Sequence, residues 1–110
     1  MKDNQHSLSS YNLKPTRFAL NVLEILVVNG VNGMTLNEVA EKLSLPRSTV
    51  HRYLKVLNES GWVETVGSSN SKRWKPSNYF IKLAFNYRNS VQSEIQRIET
   101  EFKTLTNEEL

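Results

Sequence analysis

Two short apolar repeats separated by a proline constrain this chain more than any other feature. Leu36, Val39, Ala40 and Leu43 fall at i, i+3, i+4 and i+7, which puts them on one face of a short helix. Thr35 stands where an N-cap belongs, and Glu38 three residues on can reach back to its amide, so the start carries a capping box. Ser44-Leu45-Pro46 breaks the pattern. Proline is tolerated at the first turn of a helix and not deeper, so Pro46 opens a second helix rather than continuing the first. Val50, Tyr53, Leu54 and Leu57 repeat the spacing, and Gly61 supplies the residue that most easily takes the left-handed conformation ending a helix. Two helices joined by a tight turn are expected, a helix-turn-helix.

The second helix leaves Arg47, Ser48, Thr49, His51, Arg52 and Lys55 facing solvent, with nothing acidic before Glu59. A helix entering the major groove needs this composition: guanidinium and hydroxyl groups for base edges and phosphates, and no carboxylate to repel the backbone. Arg47, Ser48 and Arg52 are the expected base readers. Thr49, His51 and Lys55 are expected on phosphates, with the free amides at the Thr35 helix start anchoring another.

Around this pair the chain divides into three. Residues 1–13 are polar and aperiodic and read as a flexible tail, in which His6 is a solvated side chain rather than a ligand. Residues 14–76 hold the helix-turn-helix, preceded by a helix from about Thr16 to Val28 that Asn29-Gly30-Val31-Asn32-Gly33 terminates. That first helix is apolar on two sides. Ala19, Leu20, Leu23, Leu26 and Val27 are assigned to the core, and Phe18, Val22 and Ile25 to a second, displaced set. Met34 is placed to form a very short strand. After Gly61, Trp62–Val66 alternates as a strand, Gly67-Ser68-Ser69-Asn70-Ser71 turns, and Lys72–Lys75 returns before Pro76 ends it. Beside the recognition helix this hairpin is a wing whose Lys72 and Arg73 meet phosphates or the minor groove. Trp62 and Trp74 are read as packing residues, since a duplex reader has no unpaired bases to stack.

Residues 77–110 read as one long helix. Ala84, Val91, Ile95, Ile98, Phe102 and Leu105 settle from Val91 onward into 4, 3, 4, 3 spacing, a heptad seam. With the surplus apolar surface on the first helix, it predicts a homodimer built from the first and last helices, with folding back on the chain's own domain as the other solution. The expected fold class is mainly α with a small β-hairpin, a winged helix-turn-helix plus a long C-terminal helix.

Charge agrees with this division. Up to Lys82 there are 11 Lys/Arg against 6 Asp/Glu, and from Leu83 onward 3 against 5. The first part wants a polyanion and the last does not. With no cysteine there is no disulfide framework, thiolate nucleophile or zinc site of the Cys type, and no stretch has the apolar length of a signal peptide or membrane span. Cytoplasmic residence, associated with the nucleoid, is the expectation. An enzyme is not expected: no Gly-rich phosphate loop follows a strand, no paired carboxylates are set up by pattern, and His51 lacks a partner for general-base work. No cofactor, metal or small-molecule ligand is indicated.

The segment Arg17 to Pro76 resembles the N-terminal DNA-binding domain of IclR-type transcription regulators. The resemblance is carried by Ala19-Leu20-Asn21-Val22-Leu23-Glu24-Ile25-Leu26, Leu36-Asn37-Glu38-Val39-Ala40, Leu45-Pro46-Arg47-Ser48-Thr49-Val50-His51-Arg52-Tyr53-Leu54 and Leu57-Asn58-Glu59-Ser60-Gly61-Trp62-Val63-Glu64. It implies a winged helix-turn-helix that binds duplex DNA as a dimer, with Arg47, Ser48, Thr49 and Arg52 carrying contacts. Family members continue through a linker helix into an effector-binding domain, which this sequence lacks, so a ligand sensor is not carried over. A stand-alone small regulator and a fragment of a longer one both fit. The function expected is sequence-specific double-stranded DNA binding as a transcription regulator, repression before activation. The alternatives are a winged-helix protein-interaction module and a non-specific or architectural DNA-binding protein of a mobile element.

Overall fold

The computed structural model describes residues 13–107. The expected tail, His6 included, lies outside the described residues apart from Leu13, as does the Glu108-Glu109-Leu110 end. The chain divides into two compact units between Ser77 and Asn78.

The first unit holds α1 (Lys14–Asn29), α2 (Leu36–Leu43), α3 (Arg47–Glu59), β1 (Val63–Val66) and β2 (Arg73–Pro76). Pro15 lies in the first turn of α1, where its missing N–H leaves no bond unmade, so the helix starts two residues before the expected Thr16. Gly30, at φ +97°, closes the other end and donates its N–H to the Leu26 carbonyl at 3.3 Å.

The capping box at the start of α2 is present in both directions. Thr35 Oγ1 accepts from the Glu38 amide at 3.2 Å, and the Thr35 amide donates to Glu38 Oε1 at 2.9 Å. The turn to α3 is made by Ser44 in the left-handed region, φ +54°, with the Leu45 amide reaching the Ala40 carbonyl at 3.2 Å. A non-glycine residue there stores about 1 kcal/mol of strain, tolerated because the turn fixes the angle between the two helices. Pro46 stands just outside α3 as its cap rather than within its first turn; its carbonyl accepts the Thr49 and Val50 amides, each at 3.1 Å.

Beyond α3, Gly61 has φ +86° and turns the chain into the hairpin. The strands pair antiparallel, from Val63 opposite Pro76 to Val66 opposite Arg73. Pro76 therefore pairs within the ladder instead of ending before it, at an edge where no N–H is required. The short strand expected at Met34 is a single antiparallel bridge to Trp74, its N–H to O distances 2.9 and 2.7 Å. Gly33 makes that approach possible: at φ +78°, a Cβ on it would lie 3.0 Å from the Trp74 carbonyl oxygen.

The core is Val22, Leu26, Met34, Val39, Ala40, Val50, Leu54, Leu57, Val63 and Trp74, with Leu23, Ile25, Leu36, Leu43, Leu45, Tyr53 and Trp62 packed around it. Trp74 and Trp62 thus take the packing roles expected of them. On α1 the assignment of faces is corrected. Val22, placed in the displaced set, is fully buried, whereas Leu20 and Val27, assigned to the core, are 59% and 47% exposed. Both stripes are apolar, and periodicity alone does not say which one meets α3.

The second unit is α4 (Asn78–Thr106), a continuous helix with no buried residue. The seam residues Val91, Ile95, Ile98 and Phe102 are 43–53% exposed and Leu105 is 84% exposed. On another face Arg97 holds Glu101 at 2.7 Å and also bonds Glu94, pairs of the i, i+4 and i, i+3 kind. No helix among the described residues is long and apolar enough to cross a membrane.

Candidate nucleic-acid interface

Burial of Val50, Leu54 and Leu57 fixes how α3 is turned. At roughly 100° per residue, Ser48, Arg52 and Lys55 project from the side opposite those three, while Arg47 and His51 lie on one flank and Thr49 on the other. Arg47, Ser48, His51, Arg52 and Lys55 are exposed, and Thr49 is half-buried. Glu59, the one acid on α3, comes at its far end.

The Arg47–His51 flank meets the wing. His51 lies edge-on to Trp74, with ring centroids 6.2 Å apart and planes at 81°. Lys72 sets its ammonium 5.2 Å from the Trp74 ring centroid, a cation–π contact that holds the charge at the surface. Thr35, Arg47, His51, Lys72 and Trp74 border one open depression of about 350 Å³. Residues from α2, α3 and the wing that lie far apart in sequence are thereby brought to a single cation-rich concavity, into which the start of α2 opens.

Asn37, Ser69 and Asn70 border the same depression, and the sequence pattern does not single them out as site residues. Asn37 sits in the first turn of α2, and the two others belong to the wing turn, which in sequence reads only as a connection. Their amide and hydroxyl groups are the kind that contact phosphate and sugar oxygens. The available signal is the polar character of that turn at the end of a hairpin placed beside the helix.

Arg73 departs from its expected place. Its Nε donates to the Asn32 carbonyl at 3.1 Å, and one terminal nitrogen donates to the Gly33 carbonyl at 3.0 Å and to Glu38 Oε1 at 3.2 Å. It borders a second depression with Met34, Glu38 and Lys42 and is absent from the one lined by Arg47, His51 and Lys72. A guanidinium committed to three internal acceptors ties the wing strand to the loop before α2. The Glu38 carboxyl it reaches is held below its ordinary pKa, chiefly by the Thr35 amide and further by the Arg73 charge.

With two helices, the α3 face and the adjoining hairpin in place, the relationship is decided by one match. Residues 19–67 match the IclR helix-turn-helix domain. That segment is similar to the IclR type of helix-turn-helix, a DNA-binding regulator domain, and the winged-helix fold recurs in distant solved structures. Pseudomonas aeruginosa HmgR is 23% identical with a TM-score of 0.59; the match covers 84% of this chain and 38% of HmgR. The apo-Zα domain of zebrafish PKZ is 23% identical with a TM-score of 0.53, over 58% of this chain and 97% of the domain. A point mutant of Staphylococcus aureus MepR, bound to an oligodeoxyribonucleotide, is 16% identical with a TM-score of 0.55, over 96% of this chain and 87% of that one. No curated protein matches the chain. At these identities the structures speak for the fold, and the IclR-type match rests on the residues between Ala19 and Gly67.

Among the described residues no group of three or more His, Cys, Asp or Glu side chains is placed to hold a metal ion.

Proposed function

We propose that this protein is a sequence-specific double-stranded DNA-binding transcription regulator that works as a homodimer and represses by occupying its operator. The observation that carries the reading is the acid-free outer face of α3, where Arg47, Ser48, Arg52 and Lys55 stand exposed and Arg47 borders the same depression as the wing cation Lys72. Arg47, Ser48 and Arg52 read base edges; Thr49, His51 and Lys55 contact phosphates. Thr35 anchors a phosphate at the start of α2, and Lys72 clamps the flanking backbone. Arg73 contributes by positioning: its bonds to the Asn32 and Gly33 carbonyls hold the wing in register with α2.

The MepR mutant of similar fold carries an oligodeoxyribonucleotide, in keeping with DNA as the partner here. Dimerisation draws on surface each unit leaves open: Leu13, Leu20 and Val27, seven residues apart along α1 and its cap, and the α4 seam. Two copies related by a two-fold axis present two recognition helices, and their spacing sets the separation of half-sites.

The test is selection of bound duplexes from a random pool at low and near-physiological salt. Enrichment of an inverted repeat is the expected result. Sequence-independent recovery that vanishes at the higher salt identifies an architectural binder, and no recovery at either salt identifies a protein-docking module; either result sinks the proposal.

A further inference from the structure

The seam on α4 constrains not only whether two copies pair but in which direction. From Arg88 onward its heptad positions are Arg88, Val91, Ile95, Ile98, Phe102 and Leu105, following Ala84, and Arg88 is the one charged residue among them. The Arg88 guanidinium lies 6.0 Å from the Phe85 ring centroid, so its stem runs along the helix beside the seam.

In a parallel, in-register pair every seam residue faces its own copy. Arg88 then meets Arg88 across a narrowing, desolvating contact, Phe102 is stacked on Phe102 while Val91 faces only Val91, and Glu94 flanks the partner's Glu99. Both the charge and the volume are badly distributed.

We propose that the α4 helices of two copies pair antiparallel, with Val91 opposite the partner's Phe102, Ile95 opposite the partner's Ile98 and Arg88 opposite the partner's Leu105. Each layer now joins a larger side chain to a smaller one or two of equal size, which fills the seam evenly. The two Arg88 side chains stand about 25 Å apart, roughly 17 residues along the helix axis. Each guanidinium lies beside the last turn of the partner helix, whose unbonded carbonyls carry partial negative charge. Glu94 and the partner's Glu101 approach across the flank, but each is already bonded to Arg97 of its own chain, so their repulsion is offset. The overlap runs from Arg88 to Leu105, about 27 Å of helix.

This pairing rests on the dimer proposed above, and its test separates the two. The chain has no cysteine, so introduced thiols report alone. Val91→Cys and Phe102→Cys variants, both at exposed positions, are prepared separately and mixed, with oxidised glutathione as oxidant. The expected result is a covalent dimer of doubled mass in the mixture and none from either variant alone. A covalent dimer from Val91→Cys alone means parallel pairing and overturns the direction while leaving the dimer standing. A chain that sediments as a dimer yet cross-links in no combination overturns pairing through α4. A monomer in sedimentation overturns both, whatever the duplex selection has shown.

Discussion

Two runs of apolar side chain in this molecule meet opposite fates. From Val22 to Trp74, ten apolar residues are buried and helix, helix, helix and hairpin close on one another. From Asn78 to Thr106 the chain is as regular a helix as any of them, yet none of its residues is fully buried. The first region can supply its own partners because its elements come from separate parts of the sequence and meet at angles. The second is a single rod, and a rod with an apolar seam needs another surface. The winged helix thus closes a core within one copy, whereas the α4 seam stands open and is the surface on which the proposed dimer draws.

The hardest test of that contrast is a matched pair of truncations. Leu54, fully buried at the centre of the first region, should cost about 2 to 5 kcal/mol when changed to Ala, through lost burial and the cavity left behind. Thermal unfolding should show it, and DNA binding should fall with the folded fraction. Ile95→Ala, on the open seam, should leave unfolding of the winged helix nearly unchanged and instead raise the dimer dissociation constant seen in sedimentation. Equal losses of unfolding stability from both would mean that α4 shares the core, and the contrast would be false.

A set of three substitutions sharpens the same division within the first region, between surface that holds the fold and surface offered to a ligand. Arg52→Ala should weaken binding to the preferred duplex by about 1 to 3 kcal/mol and blur preference at one base position, with stability intact. Lys72→Ala should weaken all duplexes alike and reduce the slope of log affinity against log salt by about 1. Arg73→Ala should act differently despite being the next residue. It removes bonds to two carbonyls and to Glu38, and should lower stability by about 1 to 2 kcal/mol without changing the salt slope. A salt slope that falls for Arg73→Ala as it does for Lys72→Ala would return Arg73 to the DNA surface.

These substitutions also mark where the sequence could and could not be read. The capping box of Thr35 and Glu38, the break at Pro46 and the turn at Gly61 all follow from local chemistry, in which one to four residues decide the outcome, and each is found in the structure. The face of α1 is a different kind of question. Leu20 and Val27 are as apolar as Val22 and Leu26, so the choice between stripes is made by the angle at which α3 arrives, which no local spacing encodes. Arg73 fails for a related reason: its acceptors at Asn32 and Gly33 lie 41 and 40 residues away. A basic residue on a wing strand looks the same in sequence whether it points at a ligand or back at the fold. The polar wing turn was legible as a turn, but its place beside Arg47 and His51 was not.

The smallest effect concerns the junction between those two kinds of surface, the Thr35–Glu38–Arg73 network. Thr35→Ala removes one half of the capping box and should cost about 0.5 to 2 kcal/mol. Glu38 adds a dependence on pH whose sign is fixed by the direction of its shift. Its folded-state pKa lies below the ordinary carboxylate value of 4.5 because the ionised form accepts the Thr35 amide and faces Arg73. A group depressed in this way stabilises the fold above its unfolded-state pKa and loses that contribution as pH falls through the folded-state value. Glu38→Gln keeps an oxygen for the Thr35 amide but removes the charge, so it should be less stable than the parent near neutral pH. The two should then converge in acid as the parent carboxyl takes up its proton. Urea unfolding midpoints across that range measure the gap. A gap that stays constant from neutral pH into acid would show that Glu38 acts through hydrogen-bond geometry alone and that its charge contributes nothing to holding the wing against α2.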